Sequence, residues 1–462
     1  MNFDCQQSVN LYVENSESGS SKSPAALIGT PGTEIYKILS GGPVRGLWRF
    51  NSDVSIAVCG SAVWRVNRTG ADQLIGDIDP YPTVARMSDN GTTVMLVTGT
   101  SGYFIDPLAL TVTPISDPTF VGADFVGFVA GRFVWNKKNT GQFQYTEAYS
   151  TDLDPLNFYT AESSPDNISA LIVNHSEVWL YGPNSVETWV LTNDNNDPFT
   201  RIQGAQMETG IDAPGSLAKM DNTTYWLGGD DRGRGIVMKA VSYSQAQRVS
   251  THAIEFAIGG YENTDDATAF TYQQEGHTFY VLSFPSANKT WCLDAATGMW
   301  HERAFRDPDL GTLNRIRYAY QMEFDGDTIV GDWSANQLYR LKLDVYTDNF
   351  LPIARIRSCP HLANDLKQQL FHSMQIDMET GVGLGVGFQD NDPQAMLQWS
   401  DDGGHNWSNE YWVPIGKAGE YKTRARWRRL GRSRDRVFRV QIVSAVKVAI
   451  IGATAEVTPC PT

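Results

Sequence analysis

Apolar and polar residues alternate in short runs along this chain, and the runs break at clusters of Gly, Asn, Ser or Asp. Ser55–Val66 reads as two such runs with a turn at Gly60 and Ser61. The same unit recurs as Thr93–Val97 into Tyr103–Ile105, Phe125–Val129 into Arg132–Trp135, Glu177–Tyr181 into Val186–Val190, Thr223–Leu227 into Ile236–Met238, His277–Leu282 into Thr290–Leu293, and Asp327–Val330 into Gln337–Leu341. A period of two puts successive side chains on opposite faces, so each unit predicts a β-hairpin.

These seven hairpins have turn centres some 30–55 residues apart. Four-stranded propeller blades repeat at about 40–50 residues, and radial closure leaves few exposed strand edges. The expected fold class is therefore all-β. A propeller, seven-bladed, should span residues 40–345, with Ala25–Leu39 closing its last blade and residues 1–39 as an N-terminal extension. Stacked β-sandwiches are the competing arrangement, because the units are not alike enough in sequence to exclude them. Thr347–Pro352 reads as a joint, and residues 346–462 as a β-sandwich domain with strands at Ile353–Arg357, Phe371–Met378, Ala395–Trp399, Glu410–Val413, Tyr421–Leu430, Val437–Val443 and Val446–Ile451.

Composition agrees with this pattern. The 462 residues are 41% hydrophobic, with 13 Trp, 19 Tyr and 20 Phe to fill a core, and 41 Gly and 21 Pro to make turns. Five cysteines, an odd number without a CxxC pair, argue against a disulfide framework and for reduced thiols. The N-terminus lacks the basic flank and apolar core of a secretory signal, and no run approaches the length needed to span a bilayer. A soluble protein without membrane insertion is expected.

Charge changes the picture. The chain carries a net −15, yet nine Lys and Arg crowd into positions 422–439. Residues 1–421 hold 27 basic against 50 acidic side chains, net −23, and residues 422–462 hold 10 against 2, net +8. From Lys422 to Arg428 the cations fall on even positions. This predicts a strand with Lys422, Arg424, Arg426 and Arg428 on one face and Thr423, Ala425, Trp427 and Arg429 on the other. Gly431 offers a turn into a return strand from Arg436 to Val443. Two readings stand: a solvated hairpin, or an interface in which Arg424, Arg426, Arg428, Arg429 and Arg432 meet acidic groups of a neighbouring subunit or adaptor protein. The excess of Arg over Lys favours bidentate pairing with carboxylate or phosphate.

Ser400-Asp-Asp-Gly-Gly-His-Asn-Trp407 fits the Asp-box pattern Ser-x-Asp-x-Gly-x-x-Trp, found on hairpin turns of sialidases and other β proteins. Asp402 can accept backbone N–H bonds across the turn, Gly404 can take a positive φ, and Trp407 can pack beneath. Ser400, Asp402, Gly404 and Trp407 are thus expected to stabilise a turn. A sialidase would also need an arginine triad, a tyrosine and an acid about one propeller axis, and no Arg-Ile-Pro motif is present.

No HExxH, GxSxG, Walker A or usable GxGxxG motif occurs. The seven histidines are scattered, Cys359-Pro-His361 is too short a cluster for zinc, and Asp194–Asp197 lacks the spacing of a calcium loop. No catalytic residue, metal or cofactor is predicted.

Three stretches, in order, resemble the packaged-DNA stabilisation proteins of short-tailed bacteriophages, which form the tail hub beneath the portal. They are Ser8–Glu14 with Leu27–Gly32, Ala161–Ile168 with Ser185–Trp189, and Trp399–Gly404 with Trp427–Arg432. The resemblance implies a structural virion protein of the tail, assembled in the host cytoplasm. It implies a homo-hexameric ring around the DNA exit channel, docked on a head-side adaptor, receiving a tail needle or plug below and tail fibres or spikes at its flank. It supplies no catalytic residues. An acidic tube would let DNA slide through without sequence-specific binding, since each Lys or Arg on a phosphate adds a salt-sensitive contact. This places the basic strip against an acidic neighbour rather than in the lumen. The alternative function is an Asp-box carbohydrate-active or glycan-binding propeller.

Overall fold

The computed structural model describes residues 6–16, 22–80, 83–161, 166–192, 194, 196–230, 233–365, 367–385 and 390–460. Cys5, Glu162–Pro165, Asn193 and Asn195, which figure in the sequence reading, lie outside the described residues. The chain is nearly all β and forms two compact units.

One unit comprises Ile35–Asn288 and Arg317–Arg340. Its sheets follow one another in sequence. Most begin with a strand that precedes the hairpin read from the sequence; in the third, that hairpin includes the first strand. The first sheet runs Val44–Arg49, Val54–Cys59, Ala62–Asn67 and Gln73–Asp77, and the second Arg86–Asp89, Val94–Val97, Gly102–Asp106 and Thr111–Pro114. The third runs from Val126–Val129 to Phe158–Thr160 and the fourth from Ala170–Asn174 to Phe199–Met207. The fifth is built on Thr223–Asp230 and Gly233–Ser242, with Gly210–Ile211, Ala218–Met220 and Gln245–Arg248 around them. Thr268–Gln274 then pairs with His277–Phe284, and a last sheet holds Tyr318–Phe324, Asp327–Asp332 and Gln337–Lys342. The N-terminal strand Gly32–Ile38 edges that last sheet. There Leu39 donates its N–H to the Asn336 carbonyl at 3.0 Å.

The sheets pack face to face in a cycle. Leu39, Val44 and Leu47 share a core with Met322, Ile329 and Leu338, joining the last sheet to the first. Ile56 and Val63 pack with Met87 and Leu96, the first on the second. Met95 and Val97 pack with Phe133 and Trp135, the second on the third. Phe143, Leu180 and Trp226 link the third, fourth and fifth. Tyr225 stacks on Tyr280 at 5.7 Å, and Phe270 meets Tyr318 at 6.0 Å, which completes the circuit. This is a propeller. Middle strands buried on both faces explain runs such as Val54–Cys59, in which all six residues are buried and five are apolar.

Neighbouring inner strands approach so closely that a side chain cannot intervene. A Cβ on Gly46 would lie 2.2 Å from the Ala85 carbonyl oxygen.

The other unit comprises residues 6–16 and 22–34, Lys289–Ile316, and the described part of Leu341–Thr462. It contains a β-sandwich. One sheet includes Gln7–Val9, Arg355–Ser358, Asp435–Ile442, Gln394–Ser400 and Tyr411–Pro414. The other runs Leu11–Asn15, Ala25–Gly29, Ala449–Pro459, Gln369–Met378 and Ala425–Ser433. Leu11, Phe371, Met374, Leu397, Trp427 and Phe438 form the core between them. The segment expected to close the last blade therefore divides. Gly32–Ile38 does so, but Ala25–Gly29 pairs with Ala449–Pro459, Leu27 opposite Ile450.

Candidate interaction surfaces

The arginine strip differs from its sequence reading in three ways. Its strand begins at Ala425, so Lys422 and Arg424 lie before it. It runs through Gly431 to Ser433, and the turn falls at Arg434. The strand after the turn, Asp435–Ile442, enters the opposite sheet, so the two strands are an arch across the sandwich and not a hairpin. The core explains this: Leu430 and Phe438 face the same interior from the two sheets.

Alternation also fails inside the strip. Phe371 is opposite Gly431 and Ser373 is opposite Arg428, so Arg429 and Leu430 together face His372. This bulge holds Arg429 at φ +60° and turns its side chain to solvent, where strict alternation placed it with Trp427. Arg424, Arg428, Arg429 and Arg432 are exposed and, among the described residues, have no ion pair. Arg426 is different. It donates to Glu456 at 3.0 Å and to Ser373 at 2.9 Å within its own chain. With His372 and Leu370, the side chains of Arg426, Arg428 and Arg429 line an open groove of about 640 Å³. The strip is the edge strand of its sheet, and Tyr411–Pro414 is the edge of the other, with Tyr411 and Trp412 half exposed. Trp427 donates its indole N–H to the Tyr411 carbonyl at 2.7 Å, tying the two edges together.

The Asp-box residues close the turn between Gln394–Ser400 and Tyr411–Pro414. Ser400 donates to Asp402 at 2.7 Å and accepts from the Gly404 N–H at 2.8 Å. Asp402 accepts the Asn406 backbone N–H at 2.9 Å and its side-chain amide at 2.6 Å. These bonds, the Asn406 N–H foremost, hold the Asp402 carboxyl well below the usual carboxylate range. Gly404 takes φ +93°. The Trp407 ring lies 3.8 Å from the Arg439 guanidinium.

A third feature was not read from the sequence. Inside the propeller unit, the first strands of successive sheets line one cavity of about 590 Å³. Trp48, Phe128, Leu171, Phe270 and Tyr320 contribute apolar wall, Arg86 and Lys219 contribute cations, and His175 an imidazole. These inner strands are as short as three residues at Ala218–Met220, too short for a period to register. Val126–Val129 was read as an arm of its hairpin; for the other inner strands the available signal was their position one turn before each hairpin.

Among the described residues, no group of three His, Cys, Asp or Glu side chains could hold a metal, and no helix is long and apolar enough to cross a membrane. Cys59, Cys292, Cys359 and Cys460 are free thiols. Burial pushes Cys59 and Cys292 up to about 12, which makes them inert packing groups.

Residues 2–346 match the family described as bacteriophage P22 Gp10, beta-propeller, and residues 354–458 match bacteriophage P22 Gp10, beta-sandwich. No curated protein matches. Among solved structures, the chain is similar to a component of the mitotic checkpoint complex (13% identity, TM-score 0.44, 71% of this chain and 99% of that one). It is also similar to the computationally designed Ika8 protein (15% identity, TM-score 0.39, 73% and 100%). A third is YCF48 bound to D1 peptide (10% identity, TM-score 0.42, 68% and 97%). Likeness at that level has no bearing on function.

Proposed function

The chain belongs to the bacteriophage P22 Gp10 family, and from that premise we propose a specific place for it in the virion. It is a structural protein of the phage tail hub that stabilises packaged DNA. In our reading it forms a ring, a hexamer, that docks on a head-side adaptor, takes a needle or plug below, and carries fibres or spikes at its flank. We take the successive sheets of the propeller as seven blades. DNA passes the ring without sequence-specific contact, and the chain has no catalytic role of its own.

The observation that carries the assignment is the pair of family matches, in order, over residues 2–346 and 354–458. It removes support from the glycan-binding alternative. The Asp box agrees, because Asp402 is engaged by Ser400 and Asn406 within its own turn.

The exposed arginines are the proposed contact with an acidic neighbour. Arg424, Arg428, Arg429 and Arg432 hold no partner within the described residues, in a chain whose first 421 residues carry a net −23. Opposite patches on identical subunits can mate head to tail, and such contacts form rings where the rotation closes. Arg426 serves differently: its pairing with Glu456 sets the groove wall. The test is the mass of the purified assembly, alone and with a portal-adaptor protein. Replacing Arg428 and Arg429 together with Ala should leave circular dichroism unchanged and reduce ring formation or adaptor binding at physiological salt. Unaltered assembly and adaptor binding would sink this role for the strip, while leaving the family assignment intact.

A further inference from the structure

The axial cavity of the propeller unit offers a site independent of the arginine strip. In a chain with 52 acidic and 37 basic residues, a charged wall would be expected to carry carboxylates. Among the described residues no Asp or Glu lines this cavity, whereas Arg86, Lys219 and His175 do.

Arg86 is held as a binding group. Its guanidinium lies 3.9 Å over the Phe125 ring, and one N–H donates to the Asp124 carbonyl at 3.0 Å. Stacking and hydrogen bond together fix its plane. The Asp124 carboxylate turns instead to Lys138, at 3.4 Å. A guanidinium has five N–H donors, and the remaining ones have no carboxylate within ion-pair distance among the described residues. Desolvation at the cavity wall lowers the Arg86 pKa to about 10, and it also lowers that of Lys219, which stays exposed in part. Taking a cation out of water is costly unless an anion meets it. The cavity is large enough for an organic ligand, since such pockets run to about 300–1,000 Å³. Its wall at Trp48, Phe128, Phe270 and Tyr320 would be unmatched by an inorganic ion alone.

We propose that this cavity binds an acidic peptide segment of another protein, with a carboxylate on Arg86, further positive charge from Lys219 on the same wall, and an apolar side chain against the ring of inner strands. Arg86 presents a planar fork suited to a carboxylate. Lys219 adds a point charge, and the aromatic wall supplies area.

The test is calorimetric titration of the full chain with N-acetyl-Phe-Glu-Phe-amide, its Phe-Gln-Phe counterpart, and inorganic phosphate. The acidic peptide should bind, and the neutral one should bind at least about tenfold more weakly, the cost of leaving the cation unpaired. Arg86→Gln should weaken the acidic peptide by a similar factor and leave the neutral peptide unchanged. If Arg86→Gln does not fold, the exposed Lys219→Gln must show the same selective loss. Equal binding of both peptides, no binding at millimolar concentration, binding of phosphate alone, or undiminished binding by the folded variant would each overturn the proposal.

Discussion

Arg436 and Asp401 form a two-pronged ion pair at the base of the Asp-box turn. Nε donates to Oδ1 at 2.6 Å and Nη2 to Oδ2 at 2.8 Å. The Arg436 side chain is 2% exposed and the Asp401 side chain 44% exposed. The guanidinium also lies 4.7 Å from the Phe371 ring and 5.2 Å from Trp399, and Nη1 donates to the Leu430 carbonyl at 2.5 Å. One arginine thus joins the Asp-box turn to the end of the arginine-rich strand.

This asymmetry predicts the cost of breaking the pair. Asp401→Ala leaves a guanidinium with little access to water, and should destabilise the protein by about 2–3 kcal/mol in chemical denaturation. The exposed Arg428→Ala should change the same measurement by less than about 0.5 kcal/mol. Equal effects would mean that Arg436 is hydrated in solution.

A second buried charge lies in the last sheet of the propeller. Asp332 has no exposed side-chain surface. It accepts two bonds from Arg317 at 2.9–3.0 Å, the Tyr339 hydroxyl at 2.9 Å, and both the N–H and the hydroxyl of Ser334 at 2.8 Å. Asp332→Ala should cost about 3–5 kcal/mol, because Arg317 and Tyr339 lose their shared buried carboxylate together. Tyr339→Phe removes only the hydroxyl, which lies 2.9 Å from Asp332 and 2.5 Å from Gln337, and should cost about 1 kcal/mol. Urea unfolding of both variants separates the network from its single members.

The hairpins were legible because their strands are long and buried on both faces, as at Val54–Cys59 and His277–Phe284. Most inner strands were not: the short but uncharged Val126–Val129 was read within its hairpin, whereas Arg86–Asp89 and Ala218–Met220 are no longer and mix charged residues with apolar ones. Nor was the pairing of Leu27 with Ile450, a contact between the two ends of the chain that no local pattern encodes. In the arginine strip, charge was visible and placement was not. Arg429 sits on a bulge that breaks the alternation, and Arg436 is buried where Asp401, from the Asp-box turn, meets it.

Close approach of inner strands gives a test of the propeller itself. Gly46→Ala would put a methyl group 2.2 Å from the Ala85 carbonyl oxygen and within 3.1 Å of the Ala85 Cβ. The neighbouring strand must move, since backbone cannot rotate aside. Overpacking of this kind costs about 1–3 kcal/mol. Gly91→Ala would meet nothing within 4 Å, though its φ of +87° also disfavours a side chain. A larger loss of thermal stability in Gly46→Ala than in Gly91→Ala supports strand packing over backbone strain as the reason for glycine at 46.

The Asp-box turn should make stability depend on pH in one direction. The Asn406 N–H, the Ser400 hydroxyl and the Asn406 amide all bond the ionised form of Asp402, so its pKa is depressed in the folded state. A depressed carboxylate binds fewer protons folded than unfolded, and stability therefore rises with pH through the interval between the two values. The contribution is complete above the ordinary carboxylate range and is lost as acid drives the pH down toward the folded value. Asp402→Ala removes the titrating group and with it this contribution. Melting temperatures of wild type and variant should differ most near neutrality and converge as the pH falls below about 4, the unfolded carboxylate value. A gap that stays constant from pH 7 to pH 3 would show that the loss comes from packing in the turn, with Asp402 acting as a spacer and not as an anion.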